Sequence, residues 1–276
     1  FRIRSKAPAS SIRPSLFCNQ IEDARRIPPP PRKDPVLSQK KIDALRSWNA
    51  QKTGTPLAGL VAAGGGLSVQ RLCEAYQQGM FPWYSQGQPV LWWAPDPRMV
   101  LHTSEFKLHR SLRKTLLKFK ADPSCEIRFD TSFSEVIRHC ASSPRAGQAG
   151  TWIVDEMMAA YEALHAAGLA HSIETWIDNQ LVGGLYCVAI GNTVFGESMF
   201  SHQTDASKIA LAALVCIAKA QGVPWIDCQQ NTRHLASLGA AEIPRKTFVA
   251  DIQTLSSEPD PQWFFESVYW SQLLSR

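Results

Sequence analysis

Ten consecutive residues, Ile209–Ala218, carry neither a charge nor a strongly polar group, and they sit inside a stretch that reads as helix from Asp205 to Ala220. A helix that is apolar almost all round must be covered on more than one side. Lys219 interrupts the run well short of the roughly 18–20 residues a membrane span requires, so the cover has to come from the protein itself. Its neighbours can supply it. Strands are predicted over 171–177, 181–190 and 193–200, the first two joined by Asp178-Asn179-Gln180, and a fourth over Trp225–Gln229. Upstream lies a helix over 155–167, stopped by Gly168, with Met158, Tyr161, Leu164 and His165 on one side. Asp205 is placed to cap the apolar helix, and Asn231 to cap a later one that Gly239 ends. Helix, three strands, helix, strand describes an α/β fold of the α+β kind, a mixed sheet with helices on its faces.

The chain ahead of this alternation is less regular. Residues 1–50 contain Ile27-Pro28-Pro29-Pro30-Pro31 and sustain no helical or strand period. They read as a disordered extension, with an organelle transit peptide as the alternative, since the first twenty residues hold three Arg, one Lys, four Ser and no acid. From about Leu57 structure begins. Gly64-Gly65-Gly66 makes a turn, and Ser68 caps a short helix that Gly79 closes. Prolines then exclude regular helix through Phe81-Pro82-Trp83-Tyr84 and Leu91-Trp92-Trp93-Ala94-Pro95-Asp96-Pro97-Arg98. A helix over about 107–120 places Leu108, Leu112, Thr115, Leu116 and Phe119 on one face, and Ser132-x-x-Glu135 is a capping-box signature for the next.

Charge is distributed unevenly. Residues 1–50 hold 11 Lys/Arg against 4 Asp/Glu, whereas the remaining 226 hold 18 against 20, so the formal +5 resides in the extension. Within the body, residues 101–150 carry 9 basic and 5 acidic side chains, while 151–200 carry 6 acids and no Lys or Arg. Such polarity suits two unlike partners, one anionic and one cationic. The seven cysteines form no CxxC or Cys/His cluster, which points to neither a disulfide framework nor a zinc site.

Several short segments together resemble the leucyl/phenylalanyl-tRNA–protein transferase family. They are Gly59-Leu60-Val61-Ala62-Ala63-Gly64-Gly65, Gly79-Met80-Phe81-Pro82-Trp83-Tyr84, Leu91–Arg98, Gly150-Thr151-Trp152-Ile153 and Ala170-His171-Ser172-Ile173-Glu174. Gly196-Glu197-Ser198-Met199-Phe200-Ser201, Ile226-Asp227-Cys228-Gln229 and Ala236-Ser237-Leu238-Gly239-Ala240 complete the series in the family's order and spacing. Gly66 departs from the acid usual in the family, and residues 1–50 do not resemble its short N-terminus.

The resemblance implies a GNAT-like C-terminal domain over 104–276 and a smaller N-terminal domain over 51–103, behind the extension 1–50. It implies transfer of Leu, Phe or Met from aminoacyl-tRNA to the α-amine of proteins beginning with Arg or Lys, which marks them for degradation. The turn Ser201-His202-Gln203-Thr204-Asp205-Ala206-Ser207 lacks the glycines that hold a coenzyme pyrophosphate, which disfavours an acyl-coenzyme A donor, and no cofactor or metal is expected.

For the chemistry, Asp227 and Gln229 stand two apart on one predicted strand and so face the same way. Asp227 is expected to orient Gln229 and to take or relay the amine proton, the plainer alternative being a backbone contact at a strand end. Glu197 is expected to hold the acceptor's amine or basic side chain. Ser201 is read as a polar neighbour of Glu197. The resemblance places Trp83 and Trp152 against the terminal adenosine, and Leu185, Leu214 and Ala218 around the donor side chain. It also sets Arg110, Arg113, Lys114 and Lys118 along the acceptor-stem backbone, where contacts read phosphate and shape. A monomer is the default, and the compartment is cytoplasmic unless residues 1–50 address an organelle. The competing readings are a cell-wall peptide transferase using charged tRNA, a small-molecule acetyltransferase and a non-catalytic RNA-binding module.

Overall fold

A computed structural model describes residues 38–43, 59–143 and 153–275. Most of the proposed extension, and Trp152, lie outside the described residues.

The proline-rich segment folds as a small antiparallel sheet. Strands β1 (Leu60–Ala63), β2 (Phe81–Pro82) and β3 (Leu91–Trp93) lie in the order β1-β3-β2, with helix α1 (Val69–Gln77) between the first two. Ser68 caps α1 as expected, its Oγ accepting from Arg71 N at 3.3 Å. Gly79, at φ +71°, turns the chain out of the helix. A Cβ there would lie 3.2 Å from the Val249 side chain, so the turn both needs glycine's backbone freedom and packs too tightly for a larger residue.

The large sheet has seven strands in the order β10-β4-β9-β8-β7-β6-β5. These are β4 (Arg98–His102), β5 (Cys125–Phe129), β6 (Ala170–Ile177), β7 (Gln180–Ile190), β8 (Thr193–Ser201), β9 (Trp225–Gln229) and β10 (Ala241–Ile243). The three long strands fall within a residue of their predicted bounds. Strand β4 ends the segment read as the small N-terminal unit, yet it is built into the large sheet between β10 and β9. Four of its five residues are buried there.

Helices α2 (Arg110–Ala121) and α5 (Ala206–Gln221) contribute to the apolar cluster on one face, with Leu112, Leu116, Phe119 and the whole of Ile209–Leu214 buried in it. Helices α1, α3 (Phe133–Ser142), α4 (Asp155–Ala166) and α7 (Arg245–Leu255) contribute to the cluster on the other face. Alternation in β7 divides the strand between them, Leu185 and Cys187 to the first and Tyr186 and Val188 to the second. Short helices α6 (Arg233–Ser237) and α8 (Ser271–Leu274) follow β9 and close the chain. Among the described residues no helix is long and apolar enough to cross a membrane.

Strands β8 and β9 run parallel, and α5 is the crossover between them. That is why a helix must be buried so completely here. It packs under the sheet whose strands it connects.

Three expected caps are corrected by tertiary contacts. Ser132 makes no side-chain cap for α3; its backbone N–H instead donates to Glu174 of β6 at 2.7 Å, so the acid comes from the sheet and not from Glu135. Asp205 adopts a left-handed conformation and makes no cap bond; its carboxylate takes Lys208 Nζ at 2.7 Å and the Thr115 hydroxyl at 3.3 Å. Thr232, not Asn231, caps α6 by accepting from Leu235 N. In α4 the buried face is Met157, Ala160, Tyr161 and Leu164, with Met158 and His165 only partly covered.

Candidate active site

Strands β8 and β9 pair only through Val194 with Ile226 and Phe195 with Asp227, and the ladder then stops. Beyond that point a cavity of about 330 Å³ opens. Phe81, Pro82 and Trp83 of the small sheet form one wall, and Leu185, Met199, Leu211, Leu214 and Ile226 form an apolar floor. Glu197, Asp227, Cys228 and Gln229 stand along the parted strands, and His234 and Leu235 of α6 close the far side.

Glu197 sits beside a bulge, where Tyr186 pairs Ser198 but Cys187 pairs Gly196. Its carboxylate is gripped from three elements. Tyr76 of α1 donates to Oε1 at 2.8 Å, Tyr161 of α4 to Oε2 at 3.0 Å, and Gln229 Nε2 to Oε1 at 2.9 Å. The two phenol oxygens also approach each other at 2.5 Å. Tyr76, Tyr161 and Glu197 therefore share three oxygen–oxygen contacts, for which two phenols bring two protons. A third proton on the carboxyl fills the ring. Burial pushes the Glu197 carboxyl up from 4.5 to about 7; the tyrosine hydrogen bonds pull it back, and the Asp227 charge adds to the rise.

Asp227 is fully buried and held on both oxygens. Arg98 grips it bidentately, Nε to Oδ1 at 2.7 Å and NH2 to Oδ2 at 2.6 Å. Oδ1 also accepts from the Gln229 backbone N–H at 2.9 Å, the turn that an aspartate imposes two residues on. Gln229 is thereby held at φ +62°. The expectation that Asp227 orients Gln229 thus has a geometric counterpart in the backbone. Asp227 thus accepts three hydrogen bonds, as Glu197 does, and it too borders the cavity.

The remaining expected residues divide. Trp83, half-buried, lines the cavity, with its carbonyl accepting from Trp93 Nε1 at 2.6 Å. Leu185 and Leu214 line it as well, while Ala218 is buried one turn farther along α5 and is not part of its lining. Ser201 is also absent from the lining; its Oγ donates to Gln203 O and accepts from Ser207 N, a cap for α5 in place of Asp205. Arg110, Lys114 and Lys118 lie exposed at successive i, i+4 positions along α2. Arg113 points elsewhere and donates to the carbonyls of Leu273 and Leu274, so it secures the C-terminal helix. The start of α2 abuts the cavity rim, since His109 Nε2 lies 2.7 Å from Ser237 O at the end of α6.

The sequence does not mark Tyr76 or Arg98 as site residues, and it marks Tyr161 only as part of a helix face. A buried phenol or guanidinium requires a partner, but nothing local names Glu197 or Asp227 as that partner. Among the described residues, no group of three or more His, Cys, Asp or Glu side chains is arranged to hold a metal ion.

Comparison with known proteins follows the same lines. The family described as leucyl/phenylalanyl-tRNA protein transferase matches residues 100–253, and the N-terminal domain of that family matches 65–96. A protein from Polaromonas sp. is 64% identical over 220 residues, covering 80% of this chain and 86% of its own. One from Albidiferax ferrireducens is 54% identical over 248 residues, 90% and 96% of the two chains. One from Leptothrix cholodnii is 58% identical over 219 residues, 79% and 86% of the two. All three bear the name leucyl/phenylalanyl-tRNA–protein transferase.

Proposed function

We propose, from the premise that this chain belongs to the leucyl/phenylalanyl-tRNA–protein transferase family, that it moves Leu, Phe or Met from charged tRNA to proteins beginning with Arg or Lys. The observation that carries this reading is the position of Glu197, a carboxyl poised near neutrality between an apolar cavity and a tyrosine pair.

In this reading the donor's side chain enters the floor formed by Leu185, Leu211 and Leu214, which accepts apolar groups and rejects charged ones. The terminal adenosine stacks on Trp83, and Trp152 is assigned the same role from its sequence position; such stacking contributes about 1–3 kcal/mol per base. Arg110, Lys114 and Lys118 follow the acceptor-stem phosphates away from the rim. The acceptor's α-amine attacks the ester carbonyl, the amide bond forms, and the ester bond to the adenosine 3′ oxygen breaks. Ionised Glu197 takes the proton the amine loses and returns it to the departing oxygen. The Gln229 side chain steadies Glu197, and Asp227 holds the Gln229 backbone. The same carboxylate end of the cavity attracts a basic first residue. The chain divides into a smaller unit, 51–103, and a larger one, 104–276, with β4 of the former built into the large sheet.

The test is transfer of radiolabelled leucine from leucyl-tRNA to a model protein beginning with Arg, against the same protein beginning with Ser. Transfer to the Arg form alone is expected. Equal transfer to both would remove the acceptor rule, and transfer to a cell-wall peptide precursor in preference to either would overturn the reading.

A further inference from the structure

Arg98 is a buried cation that is not itself part of the cavity lining but holds two residues that are, Asp227 and Phe81. Besides the bidentate grip on Asp227, NH1 donates to Gly79 O at 3.1 Å. Its guanidinium lies between two rings, 4.8 Å from the centre of Phe81 and 4.7 Å from that of Phe248. It thus joins the α1–β2 turn, α7 and β9 at one point. Burying an ion pair carries a large desolvation cost, and packing alone could be served by an apolar residue of similar volume. The planar fork and the aromatic sandwich are features that lysine cannot reproduce.

We infer that Arg98 is a positioning residue for transfer, acting through Asp227 and Gln229 to set both the place and the proton affinity of the Glu197 carboxylate. The chain of contacts is continuous. Arg98 fixes Asp227, Asp227 Oδ1 holds the Gln229 N–H, and Gln229 Nε2 donates to Glu197 Oε1. The electrostatic link runs in parallel. The Asp227 charge opposes ionisation of Glu197, and Arg98 offsets that charge from behind. The other titratable groups around Glu197 are Tyr76 of α1, Tyr161 of α4, and Tyr186 and Cys187 of β7; Cys228 and His234 line the same cavity. None of these touches Arg98 in a hydrogen bond or ion pair, and the hydrogen-bonded route from Arg98 to Glu197 runs through Asp227 and Gln229. Arg98 also holds Gly79 and Phe81, so the same residue sets how the Phe81–Trp83 wall meets the parted strands.

This inference rests on the proposed role of Glu197 in transfer, and its test separates the two. In Arg98→Lys, kcat for leucyl transfer should fall at least tenfold while KM for leucyl-tRNA stays within twofold. The midpoint of the pH profile of kcat/KM should move upward. A second readout needs no activity. The melting temperatures of each protein and its Glu197→Gln counterpart, compared across pH, report where Glu197 ionises in that background. That midpoint should rise in Arg98→Lys and return to the wild-type value or below in Arg98→Met/Asp227→Asn, where both charges are gone and the pair can still pack. A folded Arg98→Lys protein with unchanged kcat, or an unmoved Glu197 midpoint in both backgrounds, overturns the inference. If the wild-type protein transfers no leucine while the midpoint moves as stated, the reading of function fails and the linkage through Asp227 stands.

Discussion

Glu197→Gln should make the protein more stable at pH 8 while abolishing most of its transfer activity. In the folded protein this carboxyl holds its proton up to about 7, against 4.5 for an ordinary one. As pH rises, the unfolded chain ionises first, so between 4.5 and 7 it binds fewer protons than the native state and native stability declines. Above 7 the loss is complete. At about 1.4 kcal/mol for each tenfold change in proton affinity, the full penalty approaches ~3 kcal/mol. The carboxylate borders an open cavity, and solvent screening brings this to ~1.5 kcal/mol. Glutamine fits the same contacts. Its oxygen can accept from Tyr76 and Gln229, and its NH2 can donate to the Tyr161 oxygen, leaving Tyr161 free to donate to Tyr76. A gain of ~1.5 kcal/mol corresponds to a melting temperature raised by about 3–6 °C at pH 8, falling to ~1 °C at pH 5. Calorimetry of both proteins at the two pH values in one buffer salt measures it. If the variant melts at or below the wild-type temperature at pH 8, or gains the same at both pH values, the account of a charge held against its preference is wrong.

Leu214→Phe should lower kcat/KM for phenylalanyl-tRNA at least tenfold more than for leucyl-tRNA, because the added ring takes space on the cavity floor; competition between the two donors measures this. Reversing Arg110 and Lys114 to Glu should raise KM for charged tRNA and flatten its dependence on salt, as lost phosphate contacts do. Arg113→Glu should instead reduce the melting temperature with little effect on the salt slope, since it frees the C-terminal carbonyls. Gly239→Ala should give little soluble protein, because its Cβ would lie 2.3 Å from Glu105 O at a backbone φ of +104°; soluble yield at 20 and 37 °C checks this.

Strands β6, β7 and β8 and helix α5 were legible because their apolar patterns are local, and a period of two or a fully apolar run needs no knowledge of the partner. Caps were legible only where the cap was local too. Ser68 bonds three residues on, whereas α3 borrows Glu174 from a strand 42 positions away. The candidate-site carboxylates Glu197 and Asp227 were marked by their motifs, but their surroundings were not. Tyr76 and Tyr161 reach Glu197 across 121 and 36 residues, and Arg98 reaches Asp227 across 129. Sequence spacing carries no trace of such contacts. Ala218 and Ser201 show the converse, expected site residues that the helix turn or a cap leaves outside the cavity lining.

Leu211 and Leu214 belong at once to the core beneath the sheet and to the floor of the cavity. In the proposed reading, donor choice is therefore not a property that can be exchanged as a module. A substitution that reshapes the floor also repacks the crossover helix, and overfilling such a core costs about 1–3 kcal/mol. On that reading, drift toward a new donor amino acid is restricted to volume-conserving exchanges or to pairs of compensating changes across α5. The basic face of α2 is under no such constraint. On the same reading, contacts made by this exposed face to tRNA phosphates can change without repacking the core.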